Sequence, residues 1–339
     1  MHRLLVGLAV LAALLLVPYR ALVAGERQAV YVNLADSLQG SFDDVSGALR
    51  AGFVANGWEV VTVHDVAVDR TACGYRARVF VIHSPRYAEQ VLAHGPRTAF
   101  ALPIRVALYE DEAGMHLATV NPLSIHRTIV AETGFQPASQ ALLGDLLRIA
   151  DGALRGHFAS RPYGQVRERG LIGRTMGIMA GGPFLEKIKD VYTVAGDSQQ
   201  ELVRVAGLVW RGLEQGGARG RWQVHGIYQL DLSAQGAIVI GVSGDALEAK
   251  SFAIVGAGSD ERRSHYKCAG LAHAAAYPIE IVVFRDQGQV HVGVLDGMYR
   301  MKLYFEDAGK MKFAANMGMP GSVEDEIRGL ILAGVGAKR

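Results

Sequence analysis

Two histidines at matching positions of similar segments are the first residues that could do chemistry. Residues 103–116 align without a gap on residues 278–291, and the segments end in His116 and His291. A repeated imidazole could bind a metal or a small ligand at an interface between two related halves. The alternative, a half-exposed strand histidine retained after a duplication, is the commoner case. His116 and His291 are therefore candidate ligand-binding residues, together with His83.

A second group of possible metal ligands lies further along the chain. If this segment is helical, His265 and Cys268 are three residues apart and share one face. His273 lies eight residues from His265, which is about 12 Å along a helix at about 1.5 Å per residue. One ion held at about 2.0 to 2.3 Å from each ligand cannot join both histidines without a break in the helix. His265 and Cys268 thus form at most a two-ligand fragment that residues elsewhere would have to complete, and the sequence leaves any cofactor unknown.

Methionines are concentrated near the C-terminus. Five of the nine occur within a short stretch. Thioethers are soft ligands that suit monovalent copper, but methionine also fills irregular cores, and we favour core filling. The cluster consists of Met298, Met301, Met311, Met317 and Met319.

Familiar catalytic motifs are not found. Residues 255–261 lack the third glycine of a dinucleotide-binding fingerprint, and the glycine-rich stretch 173–182 lacks the Gly-Lys-Ser/Thr of a phosphate-binding loop. Residues 241–244 are not a nucleophile elbow, because the second glycine comes one residue early. The formal net charge of +2 gives no argument for a nucleic-acid partner.

Two functions remain open from the residues alone. The first is an exported, periplasmic binding protein with two domains, whose ligand is a small molecule, a metal ion or a protein partner. The alternative is an enzyme whose site is assembled between two repeats from residues that form no linear motif. The lack of familiar motifs favours binding only slightly.

The N-terminus has the order of a secretory signal. A basic start precedes the uncharged apolar run 4–17, and a small-residue stretch ends at Gly25. A spanning helix usually needs about 20 apolar residues, so a cleaved signal peptide over residues 1–25 is favoured. Because no Ala-x-Ala site is present, an uncleaved inner-membrane anchor through residues 4–23 is the alternative. Both readings place the folded body outside the cytoplasm.

An internal repeat organises the rest of the chain. The offset between matched residues rises from 161 at Asp36 and Asp197 to 183 at Pro137 and Pro320, as insertions in loops would produce. The matched residues include Asp36 and Asp197, Trp58 and Trp222, Phe80 and Phe252, His116 and His291, and Pro137 and Pro320. The expected domains are a first repeat at 28–155 and a second at 188–336, joined by a Gly/Arg-rich linker at 156–187.

Each half is predicted to contain the same elements. A strand leads to an amphipathic helix, followed by two strands, a helix, a two-strand hairpin and a closing helix. We expect the third strand of the halves to run through Phe80 and Phe252, and the following helix to span 85–92 or 260–276. Helices and strands do not alternate strictly, so the fold class is α+β, with a mainly antiparallel sheet and packed helices in each domain.

The first half resembles the bacterial "domain of unknown function 302" family. The resemblance rests on Asn56-Gly-Trp-Glu-Val-Val-Thr-Val, Val79-Phe-Val-Ile-His-Ser-Pro85 and Ala101-Leu-Pro-Ile-Arg-Val-Ala-Leu-Tyr109. It covers residues 35 to 150, and the second half is included only through the repeat, which implies a tandem arrangement. Family members often carry cysteines where this chain has His83-Ser84 and Ile104, so thiol chemistry is not implied here.

Two further expectations concern the relation of the halves. The two cysteines, Cys73 and Cys268, do not occupy equivalent repeat positions, so we predict separate thiols and not a disulfide between the domains. Because single-domain proteins often form symmetric dimers, the fused halves should pack as a pseudo-dimer with approximate two-fold symmetry. A ligand is then expected in the groove between them.

Overall fold

The computed structural model describes residues 27–69, 71–168 and 182–337. The expected signal or anchor at residues 1–25 and residues 169–181 of the expected linker lie outside this part of the chain. Two sheets are present, and every strand pairing within them is antiparallel. Helices pack against both sheets, so the α+β fold class is confirmed.

The first domain is built on a six-stranded sheet with the order β2-β3-β4-β5-β1-β6. Its elements are β1 (Arg27–Asp36), α1 (Phe42–Ala55), β2 (Glu59–Asp65), β3 (Ala77–His83), α2 (Pro85–Leu92), β4 (Ile104–Asp111), β5 (Gly114–Val120), α3 (Arg127–Ile129), α4 (Gln136–Ala153) and β6 (His157–Glu168). A 3₁₀ segment, Pro96–Ala101, precedes β4.

The second domain is built on a five-stranded sheet with the order β7-β11-β10-β9-β8. Its elements are β7 (Ile188–Ala195), α5 (Gln199–Gly216), β8 (His225–Leu232), β9 (Ala237–Ser243), α6 (Asp245–Val255), β10 (Ile279–Asp286), β11 (Gln289–Leu295), α7 (Gly297–Phe305), α8 (Lys310–Ala315) and α9 (Met319–Val335). A 3₁₀ segment, Ala269–Ala276, precedes β10.

The two sheets share one strand order once β1 to β5 are matched to β7 to β11 in sequence. Even the irregularities correspond: the register shifts between Val60 and Thr62 in β2 and between Gly226 and Tyr228 in β8. These positions are opposite the same part of the neighbouring strand in each sheet. The domains are therefore structural repeats of one another.

The expected linker is in part a strand of the first sheet. Residues 157–168 form β6 and pair with β1 along nearly its whole length. Pro162 lacks an amide hydrogen, and an edge strand is where a sheet tolerates such a residue. Phe158 and Tyr163 pack against the core, so this segment has a buried face. The glycines and arginines around it had indicated a solvated linker instead of a strand.

Two expected elements of the second half are corrected by the structure. Phe252 lies in helix α6, and the third strand is β9, whose seven residues are all buried. An apolar run bounded by glycines is typical of a strand buried on both faces, and the match of Phe80 with Phe252 was a coincidence. The helix expected at 260–276 consists of two 3₁₀ segments, Glu261–Arg263 and Ala269–Ala276.

Each sheet is covered by helices on one face and by the other domain on the second face. The 3₁₀ segment Pro96–Ala101 contacts β9 and β10, while Ala269–Ala276 contacts β3, β4 and β5. Equivalent segments thus contact the equivalent strands of the opposite domain. This reciprocity is the contact pattern of a two-fold pair.

A disulfide bond joins the two domains. Cys73 and Cys268 are bonded, with Cα atoms 5.6 Å apart, so the prediction of two separate thiols was wrong. Cys268 immediately precedes the segment Ala269–Ala276, which packs on the first sheet. Two residues can meet across the domain interface without occupying equivalent positions of the repeat. Non-equivalent positions are therefore no evidence against a disulfide.

Candidate functional site

His116 is enclosed by carboxylates. Its Nδ1 lies 2.6 Å from Asp36 Oδ1, and its Nε2 lies 2.9 Å from Asp111 Oδ1. A carboxylate can only accept a hydrogen bond, so both ring nitrogens donate and the imidazole is held as a cation. Burial lowers the pKa of His116, but the bonds to Asp111 and Asp36 outweigh it and raise the pKa above 6.5.

An arginine of the second domain completes this cluster. Arg263 of the second domain lies 2.5 Å from Asp111 and donates a 2.7 Å hydrogen bond to the Tyr109 hydroxyl. Burial would raise the pKa of Asp36, yet hydrogen bonds from His116 and Asn33 lower it to about 2. All charges at His116 therefore have partners, and this imidazole has no free nitrogen with which to bind a metal or take a proton.

His291 occupies the matching place in the second domain. Its ring stacks on Phe284 with centroids 5.1 Å apart, as His116 stacks on Tyr109 at 5.1 Å. Nδ1 lies 3.1 Å from Asp190, whose carboxylate is 3.4 Å from Arg97 of the first domain. Within the described residues Nε2 of His291 has no hydrogen-bond partner. The repeat thus places both histidines at domain contacts, but only His116 is bonded through both nitrogens.

The other predicted site residues do not gather around these histidines. His83 is buried at the end of β3, and burial lowers its pKa. His265 is exposed in a turn, and Cys268 is bonded to Cys73, so it cannot supply a thiolate. The metal site expected at His265 and Cys268 is therefore excluded by the disulfide and by the lack of a helix there. Across residues 27–69, 71–168 and 182–337, no group of three or more His, Cys, Asp or Glu side chains could hold a metal ion.

The hydrogen bonds of His116 to Asp36 and Asp111 predict a specific dependence of the free energy of unfolding on pH. Because the folded pKa of His116 is raised above 6.5, its contribution is fully present below pH 6.5 and is lost as the pH rises through the folded value. We expect His116→Gln to lower the free energy of unfolding by about 1.5–3 kcal/mol below pH 6.5, with a smaller difference at pH 9. Urea denaturation of both proteins between pH 5 and 9 measures this difference. Parallel pH profiles would show that the imidazole is not held as a cation.

A cavity of about 90 Å³ lies elsewhere, within the second domain. It is bounded by α6, α7, α8 and α9 and by strands β10 and β11. Most lining side chains are apolar. This cavity does not lie between the halves, and the ligand expected in that groove stays a prediction. The lining includes Leu247, Ile254, Val255, Ile279, Val294, Met301, Phe305, Phe313, Met319, Val323 and Ile327, with Ser251, Tyr277, Arg300, Asn316 and Glu324 as polar members.

The first domain has a pair of aromatic side chains at the positions that the repeat matches to two lining residues of this cavity. Its Tyr87 hydroxyl is 2.7 Å from His126 Nδ1, and the two rings are 5.7 Å apart. The ends of β3 and β9 differ by 160 in number (243 − 83), which matches Tyr87 to Leu247. The hairpin offset of 175 matches His126 to Met301. Leu247 and Met301 thus stand where the first domain has a hydrogen-bonded aromatic pair.

An insertion covers the cavity. The chain between β11 and α9 is eight residues longer than that between β5 and α4 (183 − 175 = 8), and α8 lies in this stretch. Helix α8 has no buried residue, although Phe313 and Asn316 line the cavity. A short helix with so few buried groups is held weakly, so it forms the most easily displaced wall.

Sequence reasoning missed most of this cavity. Met301 and Met319 belong to the methionine cluster for which we favoured core filling. Met298 and Met319 do pack against the core, while Met301 and Met319 also line the cavity. The rise of the repeat offset from 175 to 183 marked the insertion that covers it. Neither the methionine cluster nor the change of offset predicts a cavity, because a cavity is recognised only when the two domains are compared in three dimensions.

The fold and cavity define the class of protein: an α+β chain of two similar, disulfide-linked domains with a mainly apolar cavity in the second. Residues 34–152 match the family model described as domain of unknown function DUF302, which confirms the resemblance for the first domain. The matched residues do not include the second domain, whose sheet has the same strand order.

A solved structure gives a limited comparison. The crystal structure of an uncharacterized conserved protein DUF302 from Bacillus stearothermophilus is 12% identical, with a TM-score of 0.30 over 36% of this chain and 95% of that chain. No curated protein matches the chain. None of the helices in the part of the chain that the structure describes is long and apolar enough to cross a membrane.

Proposed function

We propose that this chain is an exported, two-domain binding protein whose ligand is a small molecule held in the cavity of the second domain. The single observation that carries this proposal is the replacement of Tyr87 and His126 by Leu247 and Met301. At the matching positions the first domain buries a bulky, hydrogen-bonded pair, and smaller or more flexible side chains at these positions leave room for a ligand. Pockets lined mainly by apolar groups, with few polar ones, are typical of small-molecule sites.

The size of the cavity limits the ligand. An engineered cavity of about 150 Å³ binds benzene, and this one is smaller, at about 90 Å³. The buried part of the ligand is therefore comparable to a short aliphatic chain. Anything longer extends past Phe313 and Asn316 beside α8, or displaces that helix.

The proposed export rests on two observations. The N-terminus has the order of a secretory signal, and the Cys73–Cys268 disulfide belongs in an oxidising compartment. The alternative, an enzyme with a site between the repeats, finds less support. His116, the group there best suited to act as a base, is bonded through both nitrogens to carboxylates.

Transplanting the first domain's aromatic pair tests the binding site. We expect Leu247→Tyr/Met301→His to fill the cavity and to weaken the binding of n-hexanol at least tenfold, measured by calorimetry with the full exported chain. A ligand that binds only the folded state raises thermal stability in proportion to its occupancy, so hexanol should also raise the Tm of the unaltered protein but not that of the variant.

The matched control is a substitution outside the cavity. Met311 is 88% exposed, and Met311→Tyr adds an aromatic ring without filling the site. This control should bind hexanol as the unaltered protein does. Equal binding by the double variant, or no binding by the unaltered chain, would contradict the proposal.

A further inference from the structure

We infer that the ligand is a carboxylic acid with an aliphatic chain, bound with its carboxylate at Arg300, Ser251 and Tyr277. This inference rests on the proposed function, since it assigns a chemical class to the ligand of the same cavity. All three residues line the cavity wall. The apolar remainder of the wall, formed by α6 and α9, suits the hydrocarbon chain.

The charges around Arg300 are unequal. Arg105 and Arg300 both contact Glu280: Arg105 Nη1 forms an ion pair with Oε1, and Arg300 Nε lies 3.9 Å from Oε2. The three side chains are 3%, 6% and 4% exposed for Arg105, Arg300 and Glu280. Two guanidinium groups thus share one carboxylate. A buried charge without a matching partner is costly, and an anion in the adjoining cavity would balance it.

Glu324 does not supply the missing negative charge. This side chain also lines the cavity, but its two oxygens accept hydrogen bonds of 2.8 and 2.9 Å from Lys189. The backbone amide of Gly297 donates a further bond of 2.9 Å to Glu324. Lys189 also pairs with Asp296 at 2.7 Å, and Arg328 lies 3.5 Å from Glu324, so two carboxylates are matched by two cations there. A second negative group therefore belongs nearer to Arg300.

Hydrogen-bond donors remain available on the Arg300 side. Arg300 Nη2 donates to the carbonyl of Ala276, and the contact of Nε with Glu280 Oε2, at 3.9 Å, is too long for a hydrogen bond. Ser251 Oγ and Tyr277 Oη lie 2.6 Å apart, and only one of these hydroxyls can donate to the other. The second hydroxyl keeps a hydrogen to donate. A guanidinium and a hydroxyl are the donors that a carboxylate accepts in charge-assisted bonds.

The first domain shows that the fold does not need these polar groups. Offsets of 160 and 175 match Ser251 to Val91, Tyr277 to Leu102 and Arg300 to Ile125. All three counterparts are buried and apolar. Polar donors therefore replace core residues at the same cavity where apolar residues replace Tyr87 and His126. The two opposite exchanges create an apolar space with a cationic end.

The binding of matched ligands to the full exported chain tests this inference. We expect hexanoate to bind at least tenfold more tightly than n-hexanol at pH 7, a difference of about 1.4 kcal/mol. Arg300→Met should abolish that preference while retaining hexanol binding. If that variant does not fold, Ser251→Val/Tyr277→Phe, which restores an apolar wall, should reduce hexanoate affinity severalfold and leave hexanol unaffected.

The outcomes separate the two proposals. Hexanol binding equal to or tighter than hexanoate binding overturns the carboxylate inference and leaves the proposed function standing. Failure of both ligands to bind overturns both. Hexanoate binding that persists undiminished in Leu247→Tyr/Met301→His lies outside the cavity and overturns the inference as well. Carbon-13 NMR of carboxyl-labelled hexanoate gives a second readout, since contact with Arg300 should lower the pKa of the bound acid.

Discussion

Loss of the Cys73–Cys268 bond is expected to lower the free energy of unfolding by up to about 5 kcal/mol. The bonded residues are 195 positions apart in sequence, so the bond closes a loop that contains most of both domains. A crosslink over a long loop removes much of the entropy of the unfolded chain. The bond also fixes the segment Ala269–Ala276 on the first sheet, so its loss should loosen the domain contact.

The double variant Cys73→Ser/Cys268→Ser measures this contribution. We expect its urea midpoint to fall well below that of the oxidised protein and to equal that of the unaltered chain with reductant. Thiol labelling of protein from fractionated cells shows where the bond forms: export predicts two unlabelled cysteines in the extracytoplasmic fraction. An unchanged midpoint after reduction would show that the interface alone fixes the domains.

Much of the fold could be predicted because the duplicated sequence shows the same pattern of strands and helices in both halves. The tryptophans Trp58 and Trp222 each precede the second strand of their domain, and the gapless hairpin match placed β4 with β10 and β5 with β11. The prediction of the third strand in the second half was wrong because it rested on the match of a single residue. Phe252 packs from a helix, whereas its expected counterpart Phe80 lies in a strand.

The sites could be predicted only in part, because equivalent positions have acquired different neighbours. The spacing identified His116 and His291 but could not show that Asp111 and Arg263 pair near the first, or that Asp190 and Arg97 meet near the second. Arg263 and Arg97 come from the opposite domain, and Asp190 lies 101 positions from His291 in sequence. Asp111 alone is close in sequence, five positions from His116. The cavity was beyond prediction for a related reason: it depends on the side chains that the first domain has and the second lacks.

The contact between Arg105 and Glu280 shows what fusion of two copies permits. These residues hold the same repeat position, 175 apart, and residues related by a two-fold axis contact each other only at the axis. In a dimer of identical chains this position would bring together two arginines or two glutamates. Here the copies have diverged into an ion pair that is buried from solvent. Arg105 also donates hydrogen bonds of 2.9 Å to the Pro278 carbonyl and 2.8 Å to the Tyr304 hydroxyl.

Removal of one partner of this pair should be strongly destabilising. Glu280→Gln leaves the guanidinium groups of Arg105 and Arg300 buried without their shared carboxylate, and we expect a loss of about 3–5 kcal/mol in the free energy of unfolding. Arg105→Met should cost a comparable amount, because Glu280 then keeps only its longer contact with Arg300. The double variant should lose less free energy of unfolding than the two single variants lose in sum, by a coupling energy of about 1–3 kcal/mol. Urea denaturation of all four proteins in the oxidised state measures that coupling, and Arg148→Met, which removes an exposed arginine, is the matched control. Strict additivity would mean that the two side chains do not interact across the pseudo-two-fold axis.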